Sequence, residues 1–451
     1  MTAGRITRRR WIAGAAGAAG TSMAALLAAC GGPSGDTFPP PRTPTPLGTA
    51  VYVPPPLAAS PQPTGSVGAG ASATVLPTAR PGAPVPEFVR LLSFVPDDAG
   101  LHGGYLTVAN PGAVRKLYAY DQVHSPADLQ AQNIPPTDYA NVLSGCPLSD
   151  FAGTTGPPGA WRDAFGYDSY DVDREIWAGR MPDAISHLEG AFDADGITAH
   201  LQMGRYAEVA TRSGLPYLAV RGDNEEDLRD ARSALALGRM NRVAVARDRL
   251  IASPKTAPME AALDTEARKA PALDGNATFR ALAEALPNVT GLATAPPAAL
   301  APVAAAVPPD VLARFARGFM PLHPAELYAA GYTDIGTYQR TMHLALVYAN
   351  TGDAATDAPE VLRRVTGFRL LRDSQPLIPT YASGATTRTL TGAGKGVLIV
   401  DIALLPDPPL SRFWLDTWQR GEIFLLLSPT APGMPPPAMT VIPAPAGTPR
   451  P

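Results

Sequence analysis

The distribution of proline most narrowly limits which parts of this chain can fold. Of its 51 prolines, 15 lie in residues 31–86 together with only three charged residues, and nine lie in residues 429–451. Proline fixes φ and lacks an N–H donor, so segments this rich in proline and small residues stay extended and build no core. Residues 87–428 are therefore the candidate folded region, and the two flanking segments are predicted to be disordered.

The central region is long enough for more than one hydrophobic core. It spans 342 residues, whereas a single core stops growing at about 250–300 residues. Hydrophobic residues make up 45% of the sequence, and their burial offsets the entropy of ordering a backbone, which excludes a disordered chain. We therefore predict two lobes.

The charge balance argues against nucleic acid as a partner. The formal net charge is −3, and it becomes −7 without the four arginines among the first ten residues. A nucleic-acid-binding surface needs clustered basic side chains. The four lysines of the chain are too scattered for a polybasic lipid-binding patch.

The first thirty residues have the layout of an export signal. The pair Arg8-Arg9 precedes an apolar, Gly- and Ala-rich run, 12–29, which ends at Cys30. This resembles the twin-arginine export signal, and Leu-Ala-Ala-Cys at 27–30 resembles the lipobox of bacterial lipoproteins. The resemblance implies cleavage before Cys30, whose sulfur would carry diacylglycerol in a lipoprotein acylated with chains such as palmitate.

By this resemblance the chain would be lipid-anchored on the extracytoplasmic face of the cell membrane. The alternative is an uncleaved transmembrane anchor, because the 18 residues of the run just reach spanning length.

If Cys30 is acylated, Cys146 is the remaining thiol, so an intramolecular disulfide and a cysteine-based zinc or iron–sulfur site are excluded. We expect Cys146 to be buried and inert, with a catalytic nucleophile as the less favoured reading.

Composition shifts divide the chain into six segments. These are a signal peptide (1–29), a lipidated Cys with a Pro-rich tether (30–86), an N-terminal α+β lobe (87–293), an Ala/Pro-rich linker (294–309), a C-terminal α+β lobe (310–428) and a disordered Pro-rich tail (429–451). A proline-interrupted surface helix within one body is the alternative to the linker.

The C-terminal lobe has the clearest element pattern. Apolar runs and turn residues predict strands at 343–349, 368–371, 397–405 and 423–427, with helices at 357–367 and 410–419. The order βαββαβ is typical of the ferredoxin-like fold. The predicted fold class is thus α+β, with two lobes of mainly antiparallel sheet, helices on one face, and a ferredoxin-like C-terminal lobe.

Two strand ends carry the same local sequence. Ala-Asn-x-Gly occurs at 109–112 and at 349–352, where Asn is suited to cap a following helix. The recurrence favours two related halves. Within the first lobe, 205–220 predicts a hairpin turning at Ser213-Gly214, and 243–252 predicts a strand.

One acidic cluster is a candidate for either a helix start or a cation site. Asp168, Asp171 and Asp173 are expected to start a helix that carries Ile176 and Trp177, since carboxylates cap free N–H groups there. A cation site is the alternative.

Other candidate motifs lack the residues or the structural setting that their function requires. Residues 223–227 imitate the start of an EF-hand loop, but Leu228 and Ala234 stand where Gly and Glu are required. The glycines of 392–396 lead into a strand, which predicts a hairpin turn rather than a phosphate loop. The six histidines include no i, i+4 zinc pair, and no Gly-x-Ser-x-Gly elbow occurs. We therefore expect no cofactor, no metal and no catalytic residue.

Trp414 and Trp418 lie one helical turn apart. With Leu410 they form an apolar stripe that is predicted to face the core, and an aromatic patch for a partner or a lipid surface is the alternative.

Much of 87–428 resembles uncharacterised exported lipoproteins of high-GC bacteria. The residues that carry the resemblance are 94–98 (Phe-Val-Pro-Asp-Asp), 166–179, 188–193 (Leu-Glu-Gly-Ala-Phe-Asp), 250–253, 414–416 and 421–425. The resemblance implies no activity.

Together these features predict a membrane-anchored extracytoplasmic lipoprotein with a non-enzymatic binding or scaffolding role in the cell envelope. Its partners would be the membrane, through lipid on Cys30, and an envelope protein. The alternatives are a solute-binding lipoprotein of a transporter, which predicts a cleft between two lobes, and an enzyme whose residues converge only in space.

Overall fold

The computed structural model of this protein describes eight stretches of the chain. They are residues 74–75, 85–103, 105–154, 159–299, 318–336, 339–370, 373–406 and 412–428. The predicted signal peptide with Arg8 and Arg9, the predicted lipidation residue Cys30, and the predicted tail lie outside them, as does most of the predicted tether.

The strands of the described stretches join in one sheet. They are β1 (Thr74–Val75), β2 (Tyr105–Ala109), β3 (Val172–Arg180), β4 (Asp183–Gly190), β5 (Ala207–Arg212), β6 (Leu215–Ala219), β7 (Arg242–Val245), β8 (Arg249–Ser253), β9 (Gly291–Ala295), β10 (Leu327–Asp334), β11 (Arg340–Tyr348), β12 (Ala382–Gly392) and β13 (Lys395–Leu404).

Helices fill most of the connections. They are α1 (Glu87–Leu92), α2 (Ala99–His102), α3 (Pro111–Leu117), α4 (Pro126–Ala131), α5 (Pro136–Leu143), α6 (Ala160–Phe165), α7 (Ala194–Met203), α8 (Ala231–Ala236), α9 (Thr256–Glu266), α10 (Ala277–Ala285), α11 (Thr351–Thr366), α12 (Leu377–Thr380), α13 (Phe413–Gln419) and α14 (Glu422–Leu427).

The sheet runs unbroken through the described body. Its order is β1-β12-β13-β11-β10-β9-β2-β3-β4-β8-β7-β6-β5, and β1 pairs in parallel with β12 while the other pairs are antiparallel. The turns Ser213-Gly214 and Ala393-Gly394 have positive φ at both residues, as a type I′ hairpin turn requires. Both hairpin predictions are therefore confirmed, as is the mixed α+β class with a mainly antiparallel sheet.

The division into two separate lobes is not confirmed. β9 pairs with β2 on one side and with β10 on the other, so both halves of the chain share one sheet. Thr294 and Ala295, which composition assigned to a linker, belong to β9. Most of the remaining predicted linker lies outside the described residues. Strand pairing across the boundary depends on backbone hydrogen bonds, and local composition carries no information about them.

The two halves of the sheet have the same strand order. β2-β3-β4-β8-β7 corresponds to β9-β10-β11-β13-β12, and a helix follows the third strand in each half, α7 or α11. The β5–β6 hairpin and α8 are inserted between α7 and β7. The topology thus repeats about an approximate two-fold axis normal to the sheet between β2 and β9. The Ala-Asn-x-Gly recurrence does not mark equivalent sites, because it follows β2 in one half and β11 in the other.

The pairing register extends the two-fold relation to single residues. One row across the sheet consists of Ile251, His187, Ile176, Val108, Leu292, Gly331, His343 and Asp401. Val108 and Leu292 pair at its centre, so His187 on β4 and His343 on β11 occupy equivalent positions. Both side chains project from the same face, because every member of a row does so.

Helices cover both faces of the sheet. α7 and α11 pack on one face, called the α11 face, and α1, α9 and α10 pack on the other, called the α10 face. The prediction of helices on one face is therefore wrong. Strand β9 shows why. All five of its residues are buried, so it lacks the polar/apolar alternation of a strand with one solvent-facing side.

The βαββαβ order of the C-terminal lobe is also not confirmed. Residues 423–427 lie in helix α14 rather than in a strand, and 368–371 contribute only the isolated bridge of Arg369 with Pro376. Five consecutive apolar residues suit a buried helix as well as a strand, and Gly421, with φ 74°, begins the helix. The observed order in this region is β10-β11-α11-α12-β12-β13, with α13 and α14 following.

Several local predictions hold in part. Predicted strands 343–349 and 397–405 are β11 and β13, and Gly367 ends α11 as expected. The helix begins at Thr351 rather than at 357, because Asn350 accepts a hydrogen bond from the Asp353 N–H and caps it. Predicted strand 243–252 is two strands, β7 and β8.

Candidate functional site

A groove of about 590 Å³ opens on the α10 face. It lies where β3 begins and β4 ends, between α1 and the end of α9. We call it the charged groove. Its lining residues are Glu87, Arg90, Phe94, Asp173, Arg174, Glu189, Gly190, Asp248, Arg249 and Glu266. A volume of this size falls within the range of small-ligand sites.

One wall of the charged groove is a chain of ion pairs. Arg90 donates to both oxygens of Glu189, at 2.6 and 2.5 Å, and to Glu87 at 2.8 Å, while Arg174 pairs with Glu87. Burial opposes ionisation of Glu189, but hydrogen bonds from Arg90 and its positive charge lower the pKa of Glu189 to about 2. The same carboxylates raise the pKa of Arg90, so this wall stays charged at neutral pH.

One aromatic residue, Phe94, lines the charged groove and is backed by a buried histidine. The Phe94 ring stacks on the His187 imidazole with centroids 4.1 Å apart, and the Arg90 guanidinium lies 5.5 Å from the Phe94 centroid. His187 is 1% exposed, and its Nε2 lies 3.8 Å from Glu189 Oε1. Within the described residues, neither ring nitrogen of His187 has a hydrogen-bond partner.

The opposite wall comes from the β7–β8 turn and the end of α9. Arg249 pairs with Glu266 and with the exposed Asp248, the latter at 2.7 Å. Oε2 of Glu266 is buried without a hydrogen-bond partner in the described part of the chain. The two walls together present alternating donors and acceptors beside an aromatic ring. Such a surface suits a polar ligand that carries both hydrogen-bond donors and acceptors.

The residues predicted to carry the anchor and export signal, Cys30, Arg8 and Arg9, lie outside the described residues. Cys146 is buried as predicted, and its Sγ lies 3.6 Å from Tyr332 Oη. Burial raises the pKa of the Cys146 thiol to about 12, which leaves no thiolate at neutral pH.

The acidic triplet does not start a helix. Ile176 and Trp177 lie in strand β3, where they pair with residues of β2 on one side and of β4 on the other. Asp168 and Asp171 pair with Arg162, and Asp173 pairs with Arg115 at 2.7 Å. Each of the three carboxylates thus pairs with an arginine.

The second acidic stretch is also neutralised by an arginine. Asp223 pairs with Arg242 at 2.7 Å and accepts a hydrogen bond from the Thr256 N–H. Across the described stretches, no group of three or more His, Cys, Asp or Glu side chains is arranged to hold a metal ion. In the same stretches, no helix has the length and apolar character needed to cross a membrane.

Sequence reasoning missed the charged groove. Its arginines and carboxylates come from α1, β3, β4, the β7–β8 turn and α9, which are far apart in the chain. The available signal was the presence of Arg174, Glu189 and Arg249 at the ends of three predicted or apolar stretches that become β3, β4 and β8. A charge that the fold partly buries needs a partner, and here the partners lie mainly on α1 and α9, which no local pattern identifies.

Trp414 and Trp418 face the core as predicted. Trp414 is 0% exposed and its Nε1 donates to the Gly145 carbonyl at 3.0 Å, while Trp418 packs against Phe424. The aromatic stripe is therefore part of the packing of the second half and not a docking patch. Leu410 lies outside the described residues.

Comparison with known proteins does not assign the chain to a family. No protein-family model, no curated protein and no solved structure matches it at a significant level.

Proposed function

We propose that this chain is a lipid-anchored extracytoplasmic protein that binds a polar component of the cell envelope in the charged groove. The observation that carries the binding role is the groove itself, where paired arginines and carboxylates surround the stacked ring of Phe94. The membrane anchor is proposed from the sequence alone, through Cys30 and the Arg8-Arg9 leader.

Ion pairs hold the wall of the groove that carries Arg90 in place. Arg90 is held by two carboxylates, so its side chain loses little rotamer freedom on binding. Each arginine already has a carboxylate partner, and the lining holds five carboxylates against three arginines, so the groove disfavours an anionic ligand. We infer that it takes a neutral or zwitterionic polar group, such as a peptide segment or a glycan of the envelope.

The alternative of a solute-binding lipoprotein for a transporter receives less support. That class closes two lobes around a ligand. Here one continuous sheet joins both halves of the described body, and the groove lies on one face of the first half. A hinge between the halves would have to break the pairing of β9 with β2 or β10.

Photo-crosslinking in cells tests the binding role. A crosslinking amino acid at Asp248, an exposed residue of the groove rim, should capture a specific adduct. The same amino acid at Met203, which is 67% exposed and lies on α7 over the other face, is the matched control. The proposal fails if both positions give the same adducts or if Asp248 gives none. A protein adduct would favour scaffolding, and a small molecule would favour solute capture.

A variant within the charged groove tests whether the captured ligand binds there. Glu189→Gln removes the charge that holds Arg90 and should reduce the Asp248 adduct at least several-fold. Glu226→Gln, on an exposed loop outside the groove, should leave it unchanged.

Lipid labelling tests the anchor separately. Cys30→Ala should abolish incorporation of radiolabelled palmitate and release the protein from the membrane fraction. Replacing Arg8-Arg9 with a lysine pair should block export if the leader uses the twin-arginine route. Undiminished labelling of Cys30→Ala, or normal export of the lysine variant, would remove the corresponding part of the proposal.

A further inference from the structure

Three side chains on neighbouring strands of the second half form a hydrogen-bonded line on the α10 face. His343 on β11 donates from Nδ1 to Asp401 Oδ1 on β13 at 2.6 Å. On its other side, His343 Nε2 lies 2.9 Å from Thr333 Oγ1 on β10. Hydroxyl, imidazole and carboxylate thus stand in the order and spacing of a nucleophile, its base and the group that orients the base.

The carboxylate at the end of the line is held ionised. Arg388 donates from Nε to Asp401 Oδ2 at 2.8 Å. Burial disfavours the charge on Asp401, but the hydrogen bonds from His343 and Arg388 lower its pKa below the usual value. Because Nδ1 donates to the Asp401 carboxylate, Nε2 is the ring nitrogen that faces Thr333 Oγ1, whose other described neighbour is the Asn288 carbonyl oxygen at 3.5 Å.

The fold does not require these polar residues. In the first half, the two-fold equivalent of His343 is His187, that of Asp401 is Ile251, and that of Thr333 is Ala178. Two of the three positions are therefore apolar in a half of the same topology. Packing of the sheet therefore does not explain why Thr333, His343 and Asp401 are all polar in the second half.

The hydroxyl is within reach of solvent. Thr333 is partly exposed, the Asp401 side chain is 25% exposed, and His343 lies beneath them at 9%. The set lies beyond the C-terminal end of α10, where the Ala285 carbonyl accepts from Arg388 Nη1 at 3.2 Å. Thr386, on the neighbouring strand β12, and Ala403, on β13 itself, are exposed beside it.

We propose that Thr333, His343 and Asp401 form a nucleophilic site that hydrolyses carboxylic esters. Thr333 Oγ1 bonds to the acyl carbon while its proton passes to His343 Nε2. The ester C–O bond breaks, and the leaving alkoxide takes that proton. Water then attacks the acyl-threonine, giving a proton to His343, which returns it to Thr333 as the acid departs. No oxidant, metal or cofactor enters this balance.

This site is separate from the charged groove, and its test does not depend on the proposed binding role. The full chain is incubated with p-nitrophenyl acetate, and release of p-nitrophenolate is followed together with mass spectrometry of the protein. We expect hydrolysis above the buffer rate and an acetyl adduct that maps to Thr333, and a separate incubation with a fluorophosphonate probe should label the same residue.

Matched variants locate the nucleophile. Thr333→Val keeps the shape and removes the hydroxyl, so hydrolysis should fall at least about 100-fold and the adduct should vanish, while Thr333→Ser should retain both. His343→Gln should cause a comparable loss. Thr341→Val is the control, because Thr341 is the cross-strand neighbour of Thr333 and has no described contact with His343.

Two results would overturn the proposal. One is a wild-type chain that gives neither hydrolysis above buffer nor an adduct at Thr333. The other is Thr333→Val that hydrolyses at the wild-type rate while its circular dichroism spectrum is unchanged. If Thr333→Val fails to fold, the adduct map of the wild type and the activity of Thr333→Ser decide the question.

Discussion

At the scale of single residues, buried polar groups distinguish the middle of the sheet from an ordinary core. Glu175 on β3 is 1% exposed, and it accepts hydrogen bonds from the Ser149 N–H at 2.7 Å, from Ser186 Oγ at 2.6 Å and from Ser149 Oγ. Burial raises the pKa of Glu175, and these hydrogen bonds only partly oppose the rise. A neutral carboxyl in this position costs the fold less than a charged one.

This predicts a pH dependence of stability at Glu175. A carboxyl with a raised folded-state pKa contributes stability that is present below about pH 4.5 and is lost as the pH rises through the folded-state pKa. Glu175→Gln should therefore gain stability relative to wild type as the pH rises from 4 to 8, measured by urea unfolding. Glu226→Gln, at an exposed site, should show no such trend. A parallel pH profile for Glu175→Gln and wild type would contradict the prediction.

Truncation of Glu175 to alanine should destabilise the protein. Glu175→Ala leaves two serine hydroxyls without an acceptor and creates a small cavity, so we expect a loss of about 2–4 kcal/mol in the free energy of unfolding. Urea unfolding at pH 5 checks this value, and a loss below about 1 kcal/mol would contradict the burial of the carboxyl.

Among the residues that the sequence predicted to face the core, Trp414 is expected to contribute most to the free energy of unfolding. Its ring is fully buried, stacks on Tyr332 at 5.9 Å and donates to the Gly145 carbonyl. Trp414→Ala should lower the free energy of unfolding by about 3–5 kcal/mol. Trp414→Phe should lose less, because it keeps most of the ring and gives up one hydrogen bond. Chemical denaturation measures both, and a loss under about 1 kcal/mol in the Ala variant would exclude a core role.

At the scale of elements, the crossover helices of the two halves begin alike. Asn350 accepts from the Asp353 N–H at the start of α11, and Asp193 accepts from the Gly196 N–H at the start of α7. Both helices follow the third strand of their half, so their caps are topologically equivalent although the residues differ.

The caps should have similar energies. Asn350→Ala and Asp193→Ala should each cost about 1 kcal/mol, since each leaves one helix N–H without its side-chain acceptor. Thr356→Ala, at an exposed site within α11, should be neutral or slightly stabilising because alanine has the higher helix propensity. Thermal and urea unfolding would show the difference, and equal effects of Asn350→Ala and Thr356→Ala would argue against a capping role.

At the scale of the whole molecule, the continuous sheet predicts one cooperative unfolding transition. The halves are joined through β2 and β9, and at the adjoining β9–β10 pair a Cβ added at Gly331 would overlap the Gly291 carbonyl oxygen. Gly331→Val should therefore widen this pair and lower the melting temperature of the entire body. Gly384→Ala, where an added Cβ meets nothing within 4 Å, is the control on β12.

Calorimetry and hydrogen exchange distinguish this outcome from two independent lobes. In a single cooperative unit, the calorimetric and van't Hoff enthalpies agree, and amides of β4 and β11 lose protection together in Gly331→Val. Two resolved transitions, with β4 still protected after β11 has unfolded, would restore the two-lobe description.

The sequence by itself determined the features that depend on neighbouring residues. The hairpins at Ser213-Gly214 and Ala393-Gly394, the caps at Asn110 and Asn350, and the inward face of α13 follow from turn chemistry, capping and periodicity. Each of these signals operates within about one turn of helix or one hairpin, so it can be recognised in the sequence alone.

The tertiary structure alone decided the single sheet, its two-fold order and both candidate sites. β2 pairs with β9, almost two hundred residues later, through backbone groups that are the same for every residue. The charged groove draws on five elements and the Thr333–His343–Asp401 line on three strands. Register selects which side chains meet, and register is set by packing across the whole sheet rather than by any local pattern.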